Sequence, residues 1–392
     1  MAKFSCKLVK KRAYSCFAPG KSPFVVRMIS RLCKHGNVAF SMLSACHAGR
    51  RNMDMLVADL GGTQSRFFRF SCEDGEISVK EGVILSSRQT SFKALLEEVF
   101  AKWTGHGKFL QDVSVLVFAA AGPVRDGRVV MTNAGFTVEK GPAETLFPHA
   151  RCLIMNDFEA QAWACLSPVM RQAELVVPGR LSPGSTAGEN VAAFSGLSGS
   201  ASPVVVTGAG TGLGAAWLLP GRDAPFVLPS EAGHQAFPFE GREELAFSEF
   251  LSARHDGGEV TAEFVLSGSG LALLYEHLCG RSGDPAVFTR EKGFADSLCC
   301  GLFARFYGRF CRMAALALLP QAVVLTGGVA GRTPSLVRHP EFFREFLRSR
   351  GSQKTFLEGV PVWLNAHPQA GLWGAARAGA ALMQSCLTGR SC

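Results

Sequence analysis

The first 52 residues of this 392-residue chain contain no aspartate or glutamate. Eleven lysines and arginines, from Lys3 to Arg51, fall in the same stretch, so the formal net charge of +9 belongs to this extension. The remaining 340 residues hold 30 basic and 32 acidic side chains and are close to neutral. A body without a basic excess lacks the electrostatic footprint of a nucleic-acid binder. The extension also lacks the uninterrupted apolar stretch of a secretory leader or a membrane span. Three readings of it stay open: a translated upstream segment ahead of a start at Met53 or Met55, a disordered tail, or an organellar transit peptide. Weak nucleic-acid contact by the tail is a minor alternative.

Other absences narrow the chemistry. No CxxC motif is followed by a second, so a zinc site is not indicated. The body's cysteines lie singly in apolar segments, such as Cys152, Cys165 and Cys311, apart from the Cys299–Cys300 pair. They read as buried free thiols of a reducing, cytoplasmic compartment. None of the glycine turns at 55–63, 204–214 and 323–329 ends in Gly-Lys-Ser/Thr, and Gly20-Lys21-Ser22 lacks the earlier glycine, so no P-loop is present. No repeat of 20–50 residues is present, which excludes a solenoid.

What is present is apolar material: 47% of the residues are hydrophobic and 19% charged, enough for a sizeable core and, at this length, for two domains. Met55 to Leu60 predicts a short strand entering the turn Gly61-Gly62-Thr63, and Arg66–Phe70 with Ile77–Leu85 predicts a hairpin or meander. Phe92, Leu95, Leu96, Val99 and Phe100 recur at helical spacing behind Thr90 or Ser91 as N-cap. Further strands are expected at 113–121, 129–131 and 151–155, with helical character from Phe158 to Leu166. A Gly-, Ser- and Pro-rich loop is expected at 179–203. Beyond it come a strand from Val204 into a glycine turn ending at Gly214, helices at 243–253, 270–278 and 294–319, a third strand and turn at 323–329, and a final helix after Gly371. Alternating strands and helices argue for an α/β layer fold.

Three apolar strands therefore run into glycine turns, at 55–63, 204–214 and 323–329. Glycines let the backbone approach an anion, and successive amides form a nest for phosphate oxygens. Asp59 stands just before the first turn, where a carboxylate can hold Mg²⁺ while the turn meets the β- and γ-phosphates of ATP. A turn-capping carboxylate is the alternative. Asp157 stands at a strand end beside Asn156. Phosphoryl transfer to a hydroxyl needs a carboxylate within reach of the acceptor, and a helix-capping Asp is again the alternative. Glu231 and His234, with no cysteine or second histidine nearby, make a poor zinc shell and suit sugar hydroxyls instead. His255 and His277 are expected on helix surfaces.

Taken in order, these segments resemble the bacterial glucokinase family, within the actin-like ATPase-domain sugar kinases. Asp59-Leu-Gly-Gly-Thr-Gln-Ser-Arg66 is similar to the family's first phosphate motif, Met131-Thr-Asn-Ala-Gly-Phe136 to the segment lining the sugar cleft, and Asn156-Asp-Phe-Glu-Ala160 to the catalytic strand end. Gly208-Ala-Gly-Thr-Gly-Leu-Gly214 resembles the second phosphate motif, and Leu228-Pro-Ser-Glu-Ala-Gly-His234 the sugar-binding loop. Glu263 ahead of Val265-Leu-Ser-Gly-Ser-Gly-Leu271, Thr326-Gly-Gly-Val329 and His367-Pro-Gln-Ala-Gly-Leu372 complete the series across residues 55–380.

The resemblance implies a two-domain actin-like ATPase (ribonuclease H-like) fold with a cleft between domains. The basic extension would be residues 1–54, a small α/β domain 55–166 with helix 375–392 returning to it, and a large α/β domain 167–374. It implies transfer from ATP to the 6-hydroxyl of glucose, with Asp157 as base and Asn133, Asn156, Glu231, His234 and Glu263 on the sugar. Asp59 would place Mg²⁺. Gly61, Gly62, Thr63, Gly210, Thr211 and Gly212 would meet the phosphates, with Gly327 and Gly328 near the nucleoside. A homodimer, without nucleic-acid or membrane partners, is the assembly it implies. Gln64, Phe136 and Ala232 depart from the family's usual residues and leave the sugar open. A kinase of the same fold for another hexose or an amino sugar is the alternative, and a non-catalytic sugar-binding protein is the reading from a different class.

Overall fold

The computed structural model describes residues 52–87, 91–103, 112–131, 134–180, 202–221 and 224–387. The basic extension up to Arg51, residues 181–201 of the Gly-rich loop, and Asn133 lie outside the described residues. The first half of the body contains β1 (Asn52–Leu60), β2 (Gln64–Glu73), β3 (Glu76–Ser86), α1 (Phe92–Trp103), β4 (Val113–Ala120), the ribbon β5 (Val129–Met131) and β6 (Phe136–Val138), α2 (Lys140–Leu146), β7 (Arg151–Asn156) and α3 (Asp157–Ala164). Its sheet has the order β3-β2-β1-β4-β7, with β1, β4 and β7 parallel and β2–β3 antiparallel.

Burial on both faces explains why the parallel strands read as continuous apolar runs. Leu56, Ala58, Leu116 and Phe118 face a core shared with α1 and α2, while Met55, Val57, Val115 and Val117 face another on the opposite side. Helix α1 begins where Ser91 Oγ accepts from Ala94 N–H at 3.1 Å, and buries Phe92, Leu95, Leu96, Val99 and Trp103. Strand β1 starts inside the stretch assigned to the extension, because Asp54 pairs with Val113 and Met53 packs on the core. Backbone pairing with β4 extends the strand beyond its apolar residues.

The second half contains β8 (Glu174–Val177), β9 (Val204–Ala209), β10 (Leu213–Leu219), β11 (Phe226–Ser230), α4 (Gly241–Arg254), α5 (Ala262–Val265), α6 (Gly268–Cys279), α7 (Pro285–Phe288) and α8 (Leu298–Leu318). These are followed by β12 (Ala322–Thr326), α9 (Gly328–Arg332), α10 (Ser335–Arg338), α11 (Pro340–Phe346), α12 (Gly351–Glu358), β13 (Val362–Leu364) and α13 (Ala370–Leu387). The sheet order β11-β10-β9-β12-β13-β8 repeats the first sheet's plan, β9–β11 standing as β1–β3 and β12–β13 as β4 and β7. In both, a glycine turn joins the first strand to the second.

The helices that follow β7 and β13 cross over. Helix α3, leaving the first sheet, packs on β9, β10 and β11, whereas α13, leaving the second, packs on β4 and β2, and the two helices pack on each other. Glycines permit this approach: a Cβ at Gly214 would lie 1.8 Å from the Phe158 ring, and one at Gly374 1.8 Å from the Ala160 carbonyl oxygen. Helix α13 starts at Ala370, five residues before the returning helix expected at 375, and its described part ends at Leu387.

Helix α8 is capped by Ser297 Oγ on Cys300 N–H and ends at Leu319, whose φ is +49°. Its inner face carries a buried charge the composition does not reveal. Arg309 pairs with both oxygens of Glu244, at 2.6 and 3.0 Å, and with Glu345 at 3.1 Å, all three side chains being almost fully buried. Arg309 also donates to the Pro238 carbonyl at 2.7 Å. This network ties α4, α8 and α11 together. Of the two histidines expected on helix surfaces, His255 at the end of α4 is exposed and His277 on α6 is half-buried against Phe247 and Phe250.

The described cysteines are free thiols, five of them buried, and burial pushes Cys152, Cys165 and Cys299 up to about 12. No group of three metal-binding side chains occurs among the described residues. No described helix is long and apolar enough to cross a membrane.

Arg309→Met strips both Arg309 hydrogen bonds from buried Glu244, leaving it Arg305 at 3.6 Å, while Glu345 keeps Arg312 at 2.6 Å, and is expected to lower stability by about 3 kcal/mol in urea unfolding. Arg338→Ala, which breaks an exposed pair with Glu174, is expected to change it by less than about 1 kcal/mol.

Candidate active site

A cavity of about 850 Å³ lies at the strand ends of both sheets. It is lined by Asp59, Gly61, Gly62, Thr63, Asn156, Asp157, Gly210, Thr211, Gly212, Glu231, His234, Glu263, Gly327 and Gly328, the residues assigned above to catalysis, sugar, phosphate, nucleoside and Mg²⁺ apart from Asn133. The carboxylates of Asp59, Asp157, Glu231 and Glu263 face it, with no lysine or arginine among the described lining residues.

The β7–α3 junction sets Asp157. Asn156 is the N-cap of α3, its Oδ1 accepting from Phe158 N–H at 2.8 Å and Glu159 N–H at 3.3 Å, while its Nδ2 donates to the Gly122 carbonyl at 3.0 Å. Capping is therefore the work of Asn156, and Asp157 is the first helical residue, its Oδ1 accepting from Phe158 N–H at 3.0 Å. Burial pushes the Asp157 carboxyl up to about 7, helped by the negative charges of Asp59 and Glu231 and opposed by the Phe158 N–H. Burial likewise raises Glu159 to about 7. Asp59, on β1, is also raised by burial, with Arg66 at 3.7 Å pulling the other way.

The first two glycine turns are built alike. In the first, Gly61 N–H donates to Gln64 O at 3.0 Å, while Ser87 holds the carbonyls of Gly61 through its Oγ at 2.7 Å and of Thr63 through its N–H at 3.0 Å. In the second, Gly210 N–H donates to Gly212 O at 2.7 Å, Gly268 N–H donates to Gly210 O at 2.9 Å, and Leu213 N–H donates to Glu263 Oε2 at 2.9 Å. The carbonyls of Gly61, Thr63, Gly210 and Gly212 are thereby occupied. The N–H groups of Gly62, Thr63, Thr211 and Gly212 find no acceptor among the described residues, which is the arrangement of an anion nest.

The sugar-side candidates sit opposite. Glu231 and His234 flank a single 3₁₀ turn, Oε2 to Nε2 being 3.5 Å, and both side chains are more than half exposed (56% and 59%), free to meet a ligand. Glu263 is engaged differently: one oxygen braces the second turn through Leu213, so it links the turn to the pocket. A single carboxylate such as Asp59 suits Mg²⁺, which keeps several waters and takes phosphate oxygens as further ligands.

Three supporting residues escaped the sequence reading. Ser87 braces the first turn, and its Oγ also meets Ser65 Oγ at 2.8 Å. Gln161 accepts from Thr326 Oγ1 at 2.9 Å, tying α3 to β12. It stands four residues after Asp157, so helical spacing alone places both on one face. Tyr307, one of three tyrosines, is fully buried in α8 and its hydroxyl accepts from Ala209 N–H at 3.2 Å. A buried tyrosine hydroxyl requires a partner, which was the available signal.

The family profile described as Glucokinase matches residues 56–382. The glucokinase of Tolumonas auensis is 31% identical over 339 residues, covering 82% of this chain and 95% of the relative. That of Salmonella typhi is 31% identical over 336 residues, covering 81% and 94%. Among solved structures, glucokinase from an Antarctic psychrotroph aligns with a TM-score of 0.66 at 24% identity, covering 84% of this chain and 99% of that one. Glucokinase from Balamuthia mandrillaris in complex with glucose aligns with a TM-score of 0.67 at 19% identity, covering 84% and 94%. Both likenesses show a shared fold.

In the ligand-free protein, the Asp157 carboxyl is expected to titrate near 7 by carbon-13 carboxyl NMR, with the resonance assigned by its loss in Asp157→Asn. Asp59→Asn removes a neighbouring negative charge and is expected to move that titration to lower pH.

Proposed function

This chain belongs to the glucokinase family of ATP-dependent sugar phosphotransferases, and we propose that it transfers the γ-phosphoryl group of ATP to the 6-hydroxyl of glucose with Asp157 as base. One observation carries the reading: a largely buried carboxylate at the start of α3 shares a pocket with two glycine turns whose amides are free to take an anion.

In this reading Asp157 accepts the proton of the hydroxyl as its oxygen attacks the γ-phosphorus, and the bond to the β–γ bridging oxygen breaks, releasing ADP. Little covalent chemistry is asked of the protein, so positioning and charge stabilisation do most of the catalysis. Gly62, Thr63, Thr211 and Gly212 donate N–H groups to phosphate oxygens. Asp59 would hold Mg²⁺, which supplies charge neutralisation on the polyphosphate. Glu231 and His234 take sugar hydroxyls, the remaining N–H of Asn156 Nδ2 takes another, and Glu263 uses the oxygen not committed to Leu213. Through Glu263 the sugar side and the second phosphate turn are coupled by one side chain. Asn133 belongs to the same sugar set. The small domain, 55–166 with the C-terminal helix α13, and the large domain, from 167 to the start of that helix, form the two walls of the cleft. Their closure on sugar would exclude water as a competing acceptor.

Release of ADP measured by a coupled assay over glucose, mannose, fructose and glucosamine is expected to be fastest with glucose, and a preference for another sugar would reassign the acceptor. Asp157→Asn is expected to lower kcat by about 10²–10⁴-fold with glucose binding retained in calorimetry. Glu231→Gln is expected to raise the KM for glucose while leaving the KM for ATP close to the parent value.

A further inference from the structure

The pocket presents four carboxylates and no lysine or arginine among its described lining residues, yet phosphoryl transfer would bring a polyanion into it. We propose that Arg332 supplies the missing positive charge by meeting the nucleotide's phosphates, an inference that rests on the phosphoryl-transfer reading above. Arg332 closes α9, four residues after Gly328, and one helical turn brings its side chain back over that pocket-lining glycine. A Cβ at Gly328 would lie 2.6 Å from Nη1 and 2.9 Å from Nη2 of Arg332, so the guanidinium rests against the backbone of the pocket wall.

The guanidinium is exposed and has no carboxylate or carbonyl partner among the described residues. Arg66, Arg338 and Arg309 are engaged elsewhere. Arg66, across the pocket, pairs with Asp59 at 3.7 Å and donates to the Pro368 carbonyl at 3.4 Å. Arg338 donates to Glu174, and Arg309 is buried between Glu244 and Glu345.

Position decides which part of the nucleotide Arg332 meets. Strand β12 pairs with β9, Thr326 opposite Gly208, and a Cβ at Gly327 would lie 2.5 Å from the Ala209 carbonyl oxygen. The turn bearing Gly328 is thus pressed against the end of β9, where Gly210 opens the turn with free amides at Thr211 and Gly212. A guanidinium carried over Gly328, on a turn pressed against the end of β9, would add a forked donor and a full positive charge to the phosphate side of the pocket.

The test compares the parent with Arg332→Gln and Arg332→Lys. ADP and adenosine binding are measured by isothermal titration calorimetry, and the KM values for ATP and glucose by steady-state assay. Arg332→Gln is expected to weaken ADP about tenfold and to raise the KM for ATP by a similar factor, as loss of a charge-assisted hydrogen bond would. Adenosine binding and the KM for glucose stay at the parent values, and Arg332→Lys restores most of the ADP affinity. Unchanged ADP affinity in Arg332→Gln, or adenosine weakened as much as ADP, overturns the assignment of Arg332 while leaving phosphoryl transfer standing. A parent protein that binds no ADP and phosphorylates no sugar overturns phosphoryl transfer and this inference with it.

Discussion

The crossing of α3 and α13 holds the rest of the molecule in register. Each helix springs from the last parallel strand of one sheet and packs on the other sheet, and the pair touch each other across Gly374. Each sheet therefore buries one of its faces against the chain segment donated by its counterpart. Asp157 is the first residue of one of these helices. Its location at the junction follows from the exchange: the strand end belongs to the first sheet and the helix body to the second, so the carboxylate is delivered to the space the two sheets share.

That placement also determines its acidity. The helix start would normally favour a negative charge, and the Phe158 N–H does pull the pKa down, but removal from water and two neighbouring carboxylates outweigh it. Desolvation is the larger effect because α3 is enclosed by elements from both sides. The same enclosure concentrates negative charge in a pocket with no lysine or arginine among its described lining residues. An acidic pocket that must take a polyanion depends on amides held open, and Ser87, Glu263 and Gly268 do this by occupying the turn carbonyls and the Leu213 N–H.

The two glycine turns are counterparts in a repeated strand order rather than isolated motifs. Repetition at the scale of half a domain pair leaves almost no residue identity behind, since a strand buried on both faces accepts any apolar side chain of suitable volume. Only the turns retain a trace, because free amides and close backbone contact demand small residues there. The buried Arg309–Glu244–Glu345 network is the opposite case: it joins α4, α8 and α11 with long-range pairs that no local pattern announces.

The α/β class, the three apolar strands that enter glycine turns, helix α1 with a cap at Thr90 or Ser91, and the candidates Asp59, Asp157, Glu231 and His234 were legible in the sequence, because periodicity, turn chemistry and strand-end position are local properties. The assembled fold settles which side chain caps and which carboxylate stays available. Asn156 takes the cap and releases Asp157, and Glu263 is drawn onto Leu213 from 50 residues away. It also decided that Ser87, Gln161, Tyr307 and Arg309 have tasks at all, and that α13 begins at Ala370. Those facts depend on which distant backbone groups are left without a partner when the sheets come together, and hydrogen-bond demand of that kind is settled only by the assembled fold.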